Sequence, residues 1–214
     1  MIPYGTFTFF LVAFIVLLPV IILGFLGKRS YVYNGISTVI MIVIIFSSDT
    51  YNLFGQKYLS VQLISFVIYL IWQVLLIMWY YKSRQKNNTF IKFLIVMILS
   101  ILPLALVKIL QSSWLGGHQI HFHEHKLIEF VGFLGISYVT FKSVQLIMEI
   151  RDGSIKEIKV GKLIQFISFF PTVSSGPIDR YKRFVKDDKK IPTGEQYRGM
   201  VVKAIHMIMM GFLY

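Results

Sequence analysis

Apolar residues along this chain fall in long blocks separated by short polar connections. They do not recur at the spacing of a half-buried helix or strand. Blocks near 20 residues match the thickness of a bilayer, and an unbroken apolar run satisfies its own backbone in hydrocarbon as a helix. The first predicted span runs from about Gly5 to Leu26 and a second, shorter one from Val32 to Ser47. The second is short enough to tilt or to be half covered by protein. A third span covers about Leu59 to Tyr81, with Trp79, Tyr80 and Tyr81 suited to an interfacial belt. A fourth covers Phe90 to Leu110 and contains Pro103, a predicted kink. A fifth covers Leu127 to Ile150. The fold class is therefore all-α, a polytopic transmembrane helical protein read as a single transmembrane domain over residues 1–214.

Beyond Ile150 the pattern degrades. Leu163 to Phe170 is too short to cross, and Pro171 ends it. The stretch FFPTVSSGPIDRYKRF, Phe169 to Phe184, then breaks the greasy texture with two prolines, a glycine, two serines and an adjacent acid and base. It reads as a re-entrant segment near residues 163–178, irregular backbone at membrane depth that protein or water must cover. A charged surface stretch follows, and a last apolar helix starts near Glu195 with Thr193 as its cap.

Composition narrows the class further. Of 214 residues, 56% are hydrophobic and 15% charged, with a mean hydropathy of +0.67; a soluble domain needs more polar surface than that. The net charge is +12, and the basic residues sit in connections: Lys28 and Arg29, then Lys82, Arg84, Lys86 and Lys92, then the run from Arg151 to Lys162. The positive-inside rule accounts for this better than nucleic acid does, and it predicts a multi-pass cell-membrane protein with its N-terminus outside. The first block lacks a basic leader and a small-residue cleavage site, so it reads as a retained helix. There is no cysteine, which excludes disulfides, a thiol nucleophile, a thioester on this chain and a thiolate metal site. The last helix runs into Tyr214 without a polar flank, which suggests the N-terminal part of something longer.

Candidate chemistry concentrates in two places. Tyr138, Lys142, Gln145 and Glu149 are spaced 4, 3 and 4, along one helix face. A lysine inside a span is costly unless it faces protein or water. It either pairs with an acid and locks helices together or lines a substrate path. Gly132 and Gly135 would let a neighbouring helix approach closely. In the break, Ser174 and Ser175 form no nucleophile elbow, while Asp179 and Arg180 pair and fix a turn or mark a polar mouth. Lys182, Arg183 and Lys186 are a positive-inside flank or a landing surface for an acidic partner. His118, His121, His123 and His125 in an outer loop lack a helical metal-ligand pair and read as solvated, and no metal site is predicted. His206 reads as a helix-packing group.

The helix GISYVTFKSVQLIMEIRDG and the segment FFPTVSSGPIDRYKRF, in this order on a basic polytopic chain, resemble the membrane-bound O-acyltransferase family, nearest to its D-alanyl-transfer members. That resemblance implies a multi-helix enzyme with a tunnel joining the two membrane faces. It implies D-alanine arriving on the phosphopantetheine thioester of a small acidic cytoplasmic carrier protein, with no cofactor bound to the enzyme itself, and leaving towards lipoteichoic acid. It implies acyl transfer from thioester to hydroxyl, with a neutral histidine as general base. It places that histidine beyond Tyr214, so this chain is expected to carry no catalytic residue and to be inactive alone. Tyr138, Lys142, Gln145, Glu149, Ser174, Ser175, Asp179 and Arg180 become candidates for the substrate path, and Lys182, Arg183 and Lys186 for the carrier contact. Without the resemblance, a small membrane transporter subunit, or a scaffold recruiting an acidic cytoplasmic partner, remains the alternative.

Overall fold

The computed structural model describes residues 7–28, 30–47, 61–86, 89–111, 133–173 and 179–213. Among them are eight α-helices and one 3-10 turn, with no strand. The helices are α1 (Phe7–Phe25), α2 (Tyr31–Ser47), α3 (Val61–Lys86), α4 (Phe90–Gln111), α5 (Ile136–Arg151), α6 (Val160–Ser168), α7 (Tyr181–Lys189) and α8 (Gly194–Leu213); the 3-10 turn is Phe170–Thr172. Three are long and apolar enough to cross a membrane: Phe7–Phe25, Gln62–Lys86 and Phe90–Ile109. The chain forms two compact units, one of Met1–Met41 with Lys186–Tyr214 and one of Ile42–Val185.

In the first unit α1 packs on α8. The two backbones approach closely because glycine stands at the crossing. A Cβ on Gly24 would fall inside the Tyr197 ring, and that ring meets Phe25 edge-on at 5.3 Å. The α8 start is a capping box. The Gln196 N–H donates to Thr193 Oγ1 at 3.4 Å and the Thr193 N–H to Gln196 Oε1 at 3.2 Å, so Thr193 is the cap expected from the sequence. His206 is exposed on α8. From Met200 to Met210 this helix shows mostly exposed apolar side chains.

The second unit is a bundle of α3, α4 and α5, with α6 laid against α3 and α5. Its centre is aromatic. Phe46 stacks on Phe66 at 4.9 Å, and Phe133 meets Phe66 and Tyr69 at 5.5 and 5.6 Å. Pro103 has no N–H for the carbonyl four residues back, Leu99. In hydrocarbon such a freed carbonyl needs a donor from a neighbour, and Trp72 Nε1 of α3 supplies it at 3.3 Å. One residue on, the Ser100 carbonyl accepts from Gln73 Nε2 at 3.0 Å. The proline is thus accommodated by side chains of α3 rather than by solvent.

The α5 start differs from the expected packing role of its glycines. Gly135 has φ 88° and forms the left-handed turn that begins the helix, a conformation other residues adopt at a cost. It therefore sets the entry of the chain into α5 and does not sit mid-helix as a contact point; Gly132 lies outside the described residues. At 16 residues, α5 spans about 24 Å, less than the roughly 30 Å hydrocarbon core; the part of the fifth predicted span before residue 133 is outside the described residues. The charged stretch after Arg180, read from sequence only as a surface segment, contains a helix, α7.

Candidate functional site

The interrupted segment is held from one side by a single helix. Lys142 of α5 is 2% exposed, and its ammonium reaches the end of α6. Nζ donates to the carbonyls of Phe166 and Ile167 at 3.4 and 3.5 Å, and to Thr172 Oγ1 in the 3-10 turn. The Phe166 ring lies 5.7 Å from the same nitrogen. These carbonyls are in the last turn of α6, where no further N–H is available and the helix dipole is negative. A cation there satisfies both needs.

Two helical turns on, about 10 Å along α5, Glu149 does the converse for α7. Its carboxylate accepts from the backbone N–H of Lys182 and faces the Arg180 guanidinium. Lys182 is in the first turn of α7, where N–H groups lack intrahelical partners and negative charge is favoured. The other carboxylate oxygen, Oε2, is buried without a partner among the described residues. So α5 presents a base to the helix that ends at the break and an acid to the helix that begins after it. The 4-3-4 spacing was visible in the sequence; that its two charges meet two opposite helix ends was not.

A cavity of about 240 Å³ opens beside Lys142, lined also by Phe166, Phe169, Thr172, Asp179, Arg183 and Phe184. Aromatic packing fixes its wall. The Phe166 ring meets Tyr181 and Phe184 at 5.4 Å each, and Phe169 meets Phe184 at 5.7 Å. Asp179, just before α7, and Arg183 in its first turn face each other at 3.8 Å, with the acid side chain 39% exposed. The Asp179 carboxylate also accepts from the Arg180 N–H at 2.8 Å. Tyr181, at the start of α7, is buried against this wall, and burial pushes its phenol above the usual range.

The remaining predicted residues divide. Tyr138 and Gln145 are half-buried on α5, and neither lines this cavity. Arg180 is exposed, as are Lys182, Arg183 and Lys186 on α7. Ser174 and Ser175, and the loop with His118, His121, His123 and His125, lie outside the described residues. Lys142 therefore departs from both sequence readings taken singly: it locks elements together, through carbonyls and a hydroxyl rather than an acid, and it also lines an open cavity.

Sequence reasoning missed Thr172, and it missed a closed polar network at the α3–α4–α5 contact. The Tyr69 and Thr140 hydroxyls lie 2.7 Å apart, and their two protons are shared among that contact, the Ile136 carbonyl 2.7 Å from Thr140 and the Ser100 carbonyl 3.3 Å from Tyr69. Gln73 Nε2 donates to Tyr69 and to the Ser100 carbonyl at 2.7 and 3.0 Å, and Ser100 donates back to Gln73 Oε1 at 2.8 Å. Gln73, Ser100 and Thr140 are wholly buried. A glutamine in the middle of a greasy span was the available signal.

No family profile matches the chain. It is similar over its whole length to curated proteins named teichoic acid D-alanyltransferase. The match to the Bacillus subtilis (strain 168) protein is 48% identical over 215 residues, covering 100% of this chain and 51% of that protein. The Lacticaseibacillus rhamnosus protein is 44% identical, with 99% of this chain and 48% of the relative covered. The Streptococcus thermophilus protein is 34% identical, with 99% and 46% covered. The chain spans about half the length of the curated relatives it matches.

Proposed function

We propose that this chain is part of a teichoic acid D-alanyltransferase of the membrane-bound O-acyltransferase type, and that the cavity beside Lys142 lies on the path of the aminoacyl group. The observation that carries the reading is end-to-end similarity to proteins of that name at 34 to 48% identity. The cavity chemistry agrees with it. A D-alanyl ester carries an ammonium group, and Asp179 is the one acid among the described lining residues, while Lys142 and Arg183 suit a carbonyl oxygen or a phosphate of the phosphopantetheine arm. A volume of about 240 Å³ is below the roughly 300 Å³ at which drug-sized pockets begin, which favours a small cargo.

In this reading D-alanine arrives on the thioester of an acidic cytoplasmic carrier protein and leaves towards a teichoic acid hydroxyl. The thioester carbon–sulfur bond breaks, the ester carbon–oxygen bond forms, and the hydroxyl proton passes by way of a general base to the departing sulfur, so the carrier leaves with a free phosphopantetheine thiol. Lys182, Arg183 and Lys186 form the carrier's landing surface, and the N-terminus faces the exterior.

The test is made in cells lacking their own transferase and complemented with the full-length gene. Asp179→Asn is expected to lower alkali-labile D-alanine on teichoic acid roughly tenfold, the loss of one charge-assisted contact. Wild-type ester content at equal protein level overturns the assignment of the cavity. Replacing Lys182, Arg183 and Lys186 together with Gln is expected to abolish capture of the loaded carrier protein at moderate salt, and undiminished capture rejects that landing surface.

A further inference from the structure

In the first unit a second cavity, of about 170 Å³, opens just past the end of α1. Its lining divides by chemistry. Val20 and Leu23 of α1, with Ile191 and Pro192, give an apolar wall; Lys28 and Lys190 bring two cations, and Ser30, Asn34 and Tyr197 the neutral polar groups. No acid lines it. Among the described residues Lys190 pairs with Asp187 in an exposed contact at 3.5 Å, of the kind that contributes little. Lys28 makes no side-chain hydrogen bond or ion pair among the described residues.

Depth decides what such a lining meets. Phe7–Phe25 is long and apolar enough to cross the bilayer, so Lys28, three residues beyond it, stands at the level of the lipid headgroups. A concavity there that is apolar on the membrane side and doubly cationic on the other fits an anionic phospholipid, its phosphate between the lysines and its glycerol against Val20 and Leu23. Zwitterionic lipid brings its own cation to the same two ammonium groups and is disfavoured. The Tyr197 ring, seated over Gly24, forms one side of the cavity through the α1–α8 contact.

We propose that this cavity is an anionic phospholipid site, independent of the cavity beside Lys142. The experiment is native mass spectrometry of the intact protein in detergent, incubated with phosphatidylglycerol, phosphatidylcholine or inorganic phosphate. Retention of phosphatidylglycerol over phosphatidylcholine is expected. In the double variant Lys28→Gln/Lys190→Gln that retention falls about thirtyfold at low ionic strength, the combined effect of two lysines near a lipid surface. Both lysines are exposed, so the variant keeps the fold. Lys203→Gln, an exposed lysine elsewhere on α8, leaves retention unchanged. Equal retention of the two lipids, unchanged retention in the double variant, or an equal loss with Lys203→Gln overturns the site. Displacement of the lipid by millimolar phosphate overturns the lipid assignment and gives the lysines to a soluble anion.

Discussion

Replacing Lys142 with methionine separates holding the break from serving the cavity. Methionine keeps most of the apolar stem of lysine and removes the ammonium. Four contributions are lost. The cation at the end of α6 is worth up to about 2 kcal/mol in a partly buried setting. The Phe166 and Ile167 carbonyls, at 3.4 and 3.5 Å, and the Thr172 hydroxyl lose a donor each, about 1 kcal/mol apiece. Against a loss of about 5 kcal/mol stands the ammonium that no longer has to be desolvated, about 3 kcal/mol on membrane-insertion scales. The net is about 2 kcal/mol destabilising, or roughly 4–8 °C in unfolding midpoint for a domain of this size. Lys142→Met is therefore expected to fold nearly normally while D-alanine incorporation per folded molecule falls tenfold or more, because the cavity loses its buried cation. The assays are thermal unfolding of the detergent-solubilised protein and ester-linked D-alanine in complemented cells. A midpoint drop beyond 8 °C with unchanged transfer per folded molecule would refute the reasoning and make Lys142 purely a fastener.

Other substitutions probe the supports. Glu149→Gln keeps the side-chain volume but removes the charge from the α7 N-terminus, worth about 1 kcal/mol; backbone amides of residues 181–189 are expected to exchange faster while those of α3 do not, and uniform exchange across both would count against the anchor. Gln73→Leu opens the α3–α4–α5 network and is expected to cost between about 0.6 and 1.7 kcal/mol, the span measured for hydrogen bonds between membrane helices, read as a shift in a detergent-unfolding titration. Gly24→Val drives a side chain into the Tyr197 ring and is expected to cost about 1–3 kcal/mol, with faster proteolysis around residues 190–200; unchanged proteolysis would show that α1 and α8 do not depend on that close approach.

Much of the helical framework was legible from composition alone. Apolar blocks of bilayer length bring their own hydrogen-bonding solution with them, so α1, α3 and α4 lie close to where the blocks of the sequence put them. The Thr193 cap was equally readable, because a capping box is local and its two partners are three residues apart. Pro103 announced a perturbation of α4 for the same reason: the missing N–H is a property of one residue.

What the chain does with those local facts needed three dimensions. Nothing in the sequence pairs Pro103 with Trp72, Gln73 with Ser100, or Tyr69 with Thr140; these meet because helices far apart in sequence cross at a particular rotation. The 4-3-4 row on α5 was visible as one face, but what faced it was not. Its buried lysine and half-buried glutamate are tolerated because opposite helix ends, carbonyls from α6 and an N–H from α7, stand where each charge points. Hydrophobic patterning decides which segments are helices, since that choice is made residue by residue against the solvent. Charges inside the assembly find their partners only when the packed helices bring complementary groups within a few ångströms, and that distance is a property of the tertiary structure alone.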